Sequence, residues 1–291
     1  MIPNPAFLLV FGTLALAVLL LWAPPVRGHR EWGWGAGLAL ACLAGLYAGC
    51  LDWRAPLWIA GYAALACGAR RAVRPWLRVP LLVLTGVAAF LFALHRFPGF
   101  YNPVLADGIR FSRYAPPASL HANVDTAVAG IVLMGVFCER IRTGEDWRAM
   151  LRRVWPVTLS ALVLVLGTAY AFRYVRPDLK WTPYSALFLV ANLLFTCVTE
   201  EAFFRGFLLE RLRRPLSRWR AGTAVAVAVT SVLFGLAHAR GGTLLVLLAT
   251  IAGLHYAAAY LLSRRVEGAI LTHFALNAVH FLAFTYPGLV R

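Results

Sequence analysis

The sequence predicts an all-α protein, a polytopic membrane helix bundle of roughly eight to ten transmembrane helices, and three observations carry that prediction. Hydrophobic residues make up 61% of the 291-residue chain and charged residues only 14%, where a soluble domain carries about a quarter. The apolar residues fall into roughly ten separate blocks, most of about 14 to 20 residues, each broad enough for a span or a buried helix. The basic residues avoid those blocks and gather in alternate connections. Soluble enzymes and disordered proteins are excluded as classes by this composition. A formal charge of +16 would call for nucleic acid in a soluble chain. In a multi-pass protein it reports topology and anionic lipid headgroups, so no nucleic-acid partner is expected.

Taken in order, the first block, 6–22, lacks a basic leader segment and reads as a retained first span rather than a signal peptide. Blocks 34–51 and 79–94 are ordinary spans, whereas 56–69 is short enough to be re-entrant. The connection 95–123 is long and nearly free of helix signals, and its prolines at 98, 103, 116 and 117 predict an ordered, turn-rich loop, either a lid or substrate-docking element or an ordinary surface loop. Blocks 124–138, 154–172, 184–212, 221–238, 242–262 and 266–286 complete the set. The connections after the odd-numbered blocks, with Arg211 at the margin of block 184–212 counted among them, hold 18 basic residues against 9 in the others and the C-terminus, which puts both termini outside the cytoplasm. The expected location is a multi-pass position in a bacterial-type inner (plasma) membrane. No repeat or linker divides the chain. Residues 1–150 are expected to form N-terminal membrane helices of unassigned role, and residues 151–291 a catalytic core.

The five cysteines all lie in apolar blocks with no CxxC or Cys/His cluster, which argues against disulfides or a structural zinc. The informative residues are the polar ones inside the blocks, because an ionisable group in a span costs about 3 kcal/mol on insertion scales. Block 184–212 contains Glu200, Glu201 and Arg205. At i and i+4, Glu201 and Arg205 share a helical face where opposite charges can pair, a supporting role. Glu200 points about 100° away, toward the face of Thr196 and Asn192, a polar stripe suited to a hydrated cavity. Block 221–238 ends at His238, one turn after Phe234, with Gly235 and Ala237 permitting close helix contact. Block 266–286 carries His273 and Asn277 at i and i+4, able to converge on one bound atom or to bond between helices. His255 and His280 are assigned to packing or to supporting the site residues.

The sequence contains no HExxH, GxGD or GxSG motif, and Cys197 has no evident thiolate-stabilising neighbour. Carboxylate, imidazole and amide remain, a set that can activate water and hold an oxyanion. The ordered series Glu200-Glu201-x-x-x-Arg205, Phe234-x-x-x-His238 and His273-x-x-x-Asn277 resembles the motif set of the CAAX-processing and bacteriocin-processing intramembrane protease superfamily, over roughly residues 184–286. Prenyl-protein endopeptidases and lysostaphin-resistance-like bacterial proteins belong to that superfamily. The resemblance implies a glutamic intramembrane endopeptidase acting on a membrane-anchored protein or peptide. Glu200, assisted by His238, would activate water, and His273 with Asn277 would stabilise the oxyanion, without a cofactor. Two alternatives remain open at the level of sequence. One is a zinc enzyme with Glu200, His238 and His273 as ligands. The other is a transporter or scaffold with an intramembrane Glu/His network.

Overall fold

The structure is a computed structural model, and it describes residues 5–24 and 31–289. The chain is 73% helical, and ten helices carry the fold among the described residues: α1 Pro5–Leu19, α2 Glu31–Tyr47, α3 Arg54–Arg71, α4 Pro75–Ala93 and α5 Val124–Phe137, then α6 Gly144–Ala171 and α7 Ser185–Leu216, and finally α8 Gly222–Ala237, α9 Thr243–Ser263 and α10 Val266–Ala283. Six segments are long and apolar enough to cross a bilayer: Pro5–Trp22, α4, α6, α7, α9 and α10. Polytopic membrane architecture follows, because a lipid-facing backbone must satisfy its own hydrogen bonds within each helix. The many exposed large apolar side chains, such as Leu57, Val83, Val163 and Leu233, are those of a lipid-facing surface.

Each apolar block thus becomes one helix, with three departures. Block 56–69, short in the sequence, extends through charged ends into an 18-residue continuous helix, α3. α6 begins ten residues before its apolar block, inside the basic segment read as a connection. Its start is set by Thr143, whose side chain accepts a hydrogen bond from the Asp146 N–H, with Glu145 and Asp146 in the first turn. Third, the loop after α4 is ordered, as expected, but it holds two short paired strands, β1 Val104–Ile109 and β2 Ala118–His121. Its prolines lie outside the paired residues, which is where a strand tolerates them.

Contacts divide the chain into two compact units. The first comprises Met1–Asp107, Ser119–Arg140 and Leu194–Phe203; the second comprises Gly108–Ala118, Ile141–Leu193 and Phe204–Arg291. In the first unit α5 is the core, with every residue from Ala127 to Val136 buried. It packs against α2, α3, α4 and the stretch of α7 around Val198–Glu201. The turn between α2 and α3 is tied to the loop after α4 by bonds from the Asp52 N–H to the Gly99 carbonyl and from the Tyr101 N–H to the Cys50 carbonyl. Gly99 has φ +93, and a Cβ there would lie 2.5 Å from Asp52 Oδ1, so the turn requires glycine. Hydrogen bonds from the Arg54 side chain hold the Asp52 carboxyl down to about 2.

In the second unit α9 is central and packs on α6, α8 and α10. The expected close approach at Gly235 is present: a Cβ there would lie 2.0 Å from Thr250 Oγ1 and 2.7 Å from the Val246 carbonyl.

Candidate active site

The sequence-predicted residues are distributed over both units. Glu200 and Glu201 lie in the part of α7 that belongs to the first unit, and Arg205, His238, His273 and Asn277 lie in the second. Glu200 is partly buried and Glu201 fully buried. α7 is not a regular α-helix here. Asn192–Cys197 and Ala202–Leu209 are π-helical, with Val198–Glu201 in α-helical form between them. Because i→i+5 bonding widens the turn, the step of four that places Asn192, Thr196 and Glu200 on one face does not hold through this helix. π-Bulges of this kind concentrate at functional sites.

The segment bearing both carboxylates is held at close range by α5. A Cβ on Gly130 would lie 2.2 Å from Thr199 Oγ1 and 2.7 Å from the Thr199 Cα, a backbone atom that cannot swing aside. Gly130→Ala should therefore displace the Thr199–Glu201 segment or α5. We expect about 1–3 kcal/mol of destabilisation, read as reduced folded yield in detergent, together with a loss of activity per folded molecule. A Gly130→Ala protein with normal yield and activity would refute the close fit.

In the second unit, Arg205, His238 and His273 meet around Phe234. This ring is buried, and the guanidinium of fully buried Arg205 sits 4.7 Å above its centroid. The same guanidinium lies 5.3 Å from the Tyr256 ring, and Nη2 donates to the Gly253 carbonyl at 2.9 Å. His238 follows the last turn of α8, and its Nδ1 lies 2.8 Å from the Phe234 carbonyl. A carbonyl only accepts, so Nδ1 carries the proton and Nε2 is left as the basic nitrogen. His273, 4% exposed, stacks on Tyr256 at 4.4 Å and meets Phe234 edge-on at 5.8 Å. The Phe234 ring thus touches both histidine rings, with His238 at 4.8 Å. Asn277 Nδ2 donates to Asn192 Oδ1 at 3.2 Å, both residues partly buried. His255 and His280 bond to the Ile251 and Thr285 carbonyls, and His255 Nε2 also lies 3.2 Å from the Ser160 hydroxyl.

Arg205 is therefore a support of the histidine pair. Arg205→Ala should cost about 2–5 kcal/mol, the range for truncating a large buried side chain, and should lower the amount of folded protein. Arg205→Lys keeps the charge but not the planar fork and should fall between the two. Wild-type thermal stability of purified Arg205→Ala protein would contradict this role.

Sequence reasoning missed Tyr256, which sits in an apolar block with no local signal. It also missed Asp125, 1% exposed, whose Oδ2 lies 2.7 Å from His95 Nδ1 and whose Oδ1 accepts from Asn102 Nδ2 at 3.0 Å. This cluster anchors the loop to the first turn of α5, where a carboxylate also complements the helix dipole. The signal was a lone carboxylate heading an apolar block. Among the described residues, no three His, Cys, Asp or Glu side chains are grouped so as to hold a metal ion.

Fold and site together define an integral membrane protein whose carboxylates, histidines and amides lie, partly or fully buried, on apolar helices or at their ends. Residues 180–279 match the family model described as type II CAAX prenyl endopeptidase Rce1-like. That span contains all six motif residues. No curated protein and no solved structure matched the chain.

Proposed function

We propose that this protein is a glutamic-type intramembrane endopeptidase that hydrolyses a peptide bond of a membrane-anchored protein or peptide without a metal ion. The observation that carries the reading is the family match over residues 180–279, which takes in Glu200, His238, His273 and Asn277 together. In this reading residues 151–291 hold the catalytic machinery, in a bacterial-type inner membrane. The Glu200 carboxylate takes a proton from water as the water oxygen bonds to the scissile carbonyl carbon. His238, with Nδ1–H committed to the Phe234 carbonyl, presents Nε2 as the proton-accepting partner. His273 and Asn277 donate hydrogen bonds to the oxyanion that forms. The proton then passes to the leaving amine as the C–N bond breaks.

The gathering of both histidine rings at Phe234 supports joint action of the second and third motifs. The experiment is mass spectrometry of membrane-protein C-termini in wild-type, deletion and Glu200→Gln cells. At least one terminus should be shortened in the wild type alone. Identical termini in all three strains would remove the proteolytic reading. Turnover by the purified protein should also survive exhaustive treatment with a strong chelator; loss of activity restored by zinc would replace the metal-free mechanism.

A further inference from the structure

We propose that Arg113 and Arg176 form a binding site for the phosphate of an anionic phospholipid headgroup, at the end of the second unit where α6 and α10 finish and α7 begins. A pocket of about 340 Å³ is lined there by Arg113, Tyr114, Arg176 and Leu289. The wall residues come from three connections far apart in sequence, and each is anchored. The Ser112 hydroxyl, next to Arg113, accepts the Tyr286 N–H at 3.0 Å. Arg176 exchanges two bonds with Thr285, its N–H donating to Oγ1 at 3.1 Å and its carbonyl accepting the Thr285 N–H at 2.9 Å. The Leu289 N–H donates to the Tyr174 carbonyl at 3.0 Å. Phe111 is buried against Phe281 at 5.1 Å and so fixes the Arg113 segment from below.

The charge at this pocket is uncompensated among the described residues. Neither guanidinium has an ion pair with a carboxylate. The acidic side chain of the α6–α7 connection, Asp178, is 3.3 Å from Lys180 Nζ and is thereby engaged. Two arginines on one pocket wall repel each other until an anion sits between them, and their planar forks match phosphate oxygens in pairs. The surroundings select a lipid over a soluble anion. Exposed aromatic residues cluster at this end, Trp181 at 69%, Phe172 at 61% and Tyr114 at 56%, as in the belt that marks headgroup depth. Leu289 adds an apolar wall beside the cations, suiting a ligand with a charged head and a hydrocarbon body.

The test is native mass spectrometry of the full-length protein equilibrated with mixed phosphatidylglycerol and phosphatidylcholine micelles. Four proteins are compared: wild type, Arg113→Gln/Arg176→Gln, Arg113→Lys/Arg176→Lys, and Arg148→Gln/Arg152→Gln, which loses the same charge as the first pair from exposed positions on α6. The wild type should retain phosphatidylglycerol selectively. The Arg113/Arg176 pair change should lower that selectivity about 10- to 30-fold, and the α6 pair should leave it near wild type. All four arginines are exposed, so folding is not at stake, and Arg113→Lys/Arg176→Lys should retain part of the preference. Equal selectivity in wild type and the Arg113/Arg176 variant would overturn the site, as would an equal loss in the α6 variant. Displacement of the lipid by millimolar inorganic phosphate would assign the pocket to the free anion. Unchanged lipid retention with a raised KM for a peptide substrate would assign it to a substrate carboxylate. Either result would overturn the lipid assignment.

Discussion

Glu200→Gln should yield a protein that inserts and folds like the wild type but turns over substrate at least 10²- to 10⁴-fold more slowly, the range for removal of a general base. The amide keeps the size and most of the hydrogen bonding of the carboxylate and loses only its capacity to take a proton. Partial burial of Glu200 makes the substitution tolerable. Glu201, fully buried one residue later, provides the contrast. Glu201→Ala should act on stability, because a buried charged side chain is removed from its surroundings, and activity per folded molecule should fall less. Measuring kcat against folded protein, by size exclusion and thermal melting in detergent, separates the two. Full activity of purified Glu200→Gln protein would refute the assigned base, whatever the fate of the Glu201 variant.

Asn277→Ala should lower kcat about 10²- to 10³-fold with little change in KM, as expected when a donor acts mainly in the transition state. The structure sharpens this expectation. The Asn277 amide carries two N–H groups, and Nδ2 already donates to Asn192 Oδ1 at 3.2 Å. That bond orients the amide. Asn192→Ala should therefore reproduce a smaller part of the kcat loss by releasing that orientation. Asn277→Asp should be at least as damaging as alanine, since it sets negative charge where negative charge develops. Were Asn277 only a packing residue, both of its substitutions would lower stability and leave kcat of the surviving protein unchanged, and that result would remove it from the site.

Much of this molecule is legible in its sequence because the controlling physics is local. A helix in lipid satisfies its own backbone, so an apolar run of sufficient length specifies a helix without reference to any other segment. The blocks beginning near residues 124, 184, 221, 242 and 266 all begin within two residues of helices in the structure. Where the local signal was mixed, the reading slipped. α6 starts early because Thr143, Glu145 and Asp146 form a helix start that hydropathy does not register. The strands β1 and β2 depend on each other for hydrogen bonds, and a run as short as Ala118–His121 has no pattern of its own.

The candidate site divides in the same way. Residue type and order along the chain marked Glu200, Glu201, Arg205, His238, His273 and Asn277, because a polar group in an apolar block is costly and therefore conspicuous. The assumed α-helical step could not foresee the π-helical turns of α7, which depend on packing against neighbours rather than on propensity. By itself the sequence determined that this is a multi-helix membrane protein with three polar motifs on three apolar helices. Only the tertiary structure decided that Phe234 joins His238 to His273, that Gly130 lies against Thr199, and that Arg113, Arg176 and Leu289 share one pocket. Hydropathy is a property of each segment alone. Convergence depends on which helix faces meet across tens of residues, and side-chain shape and packing settle that only once the helices have assembled.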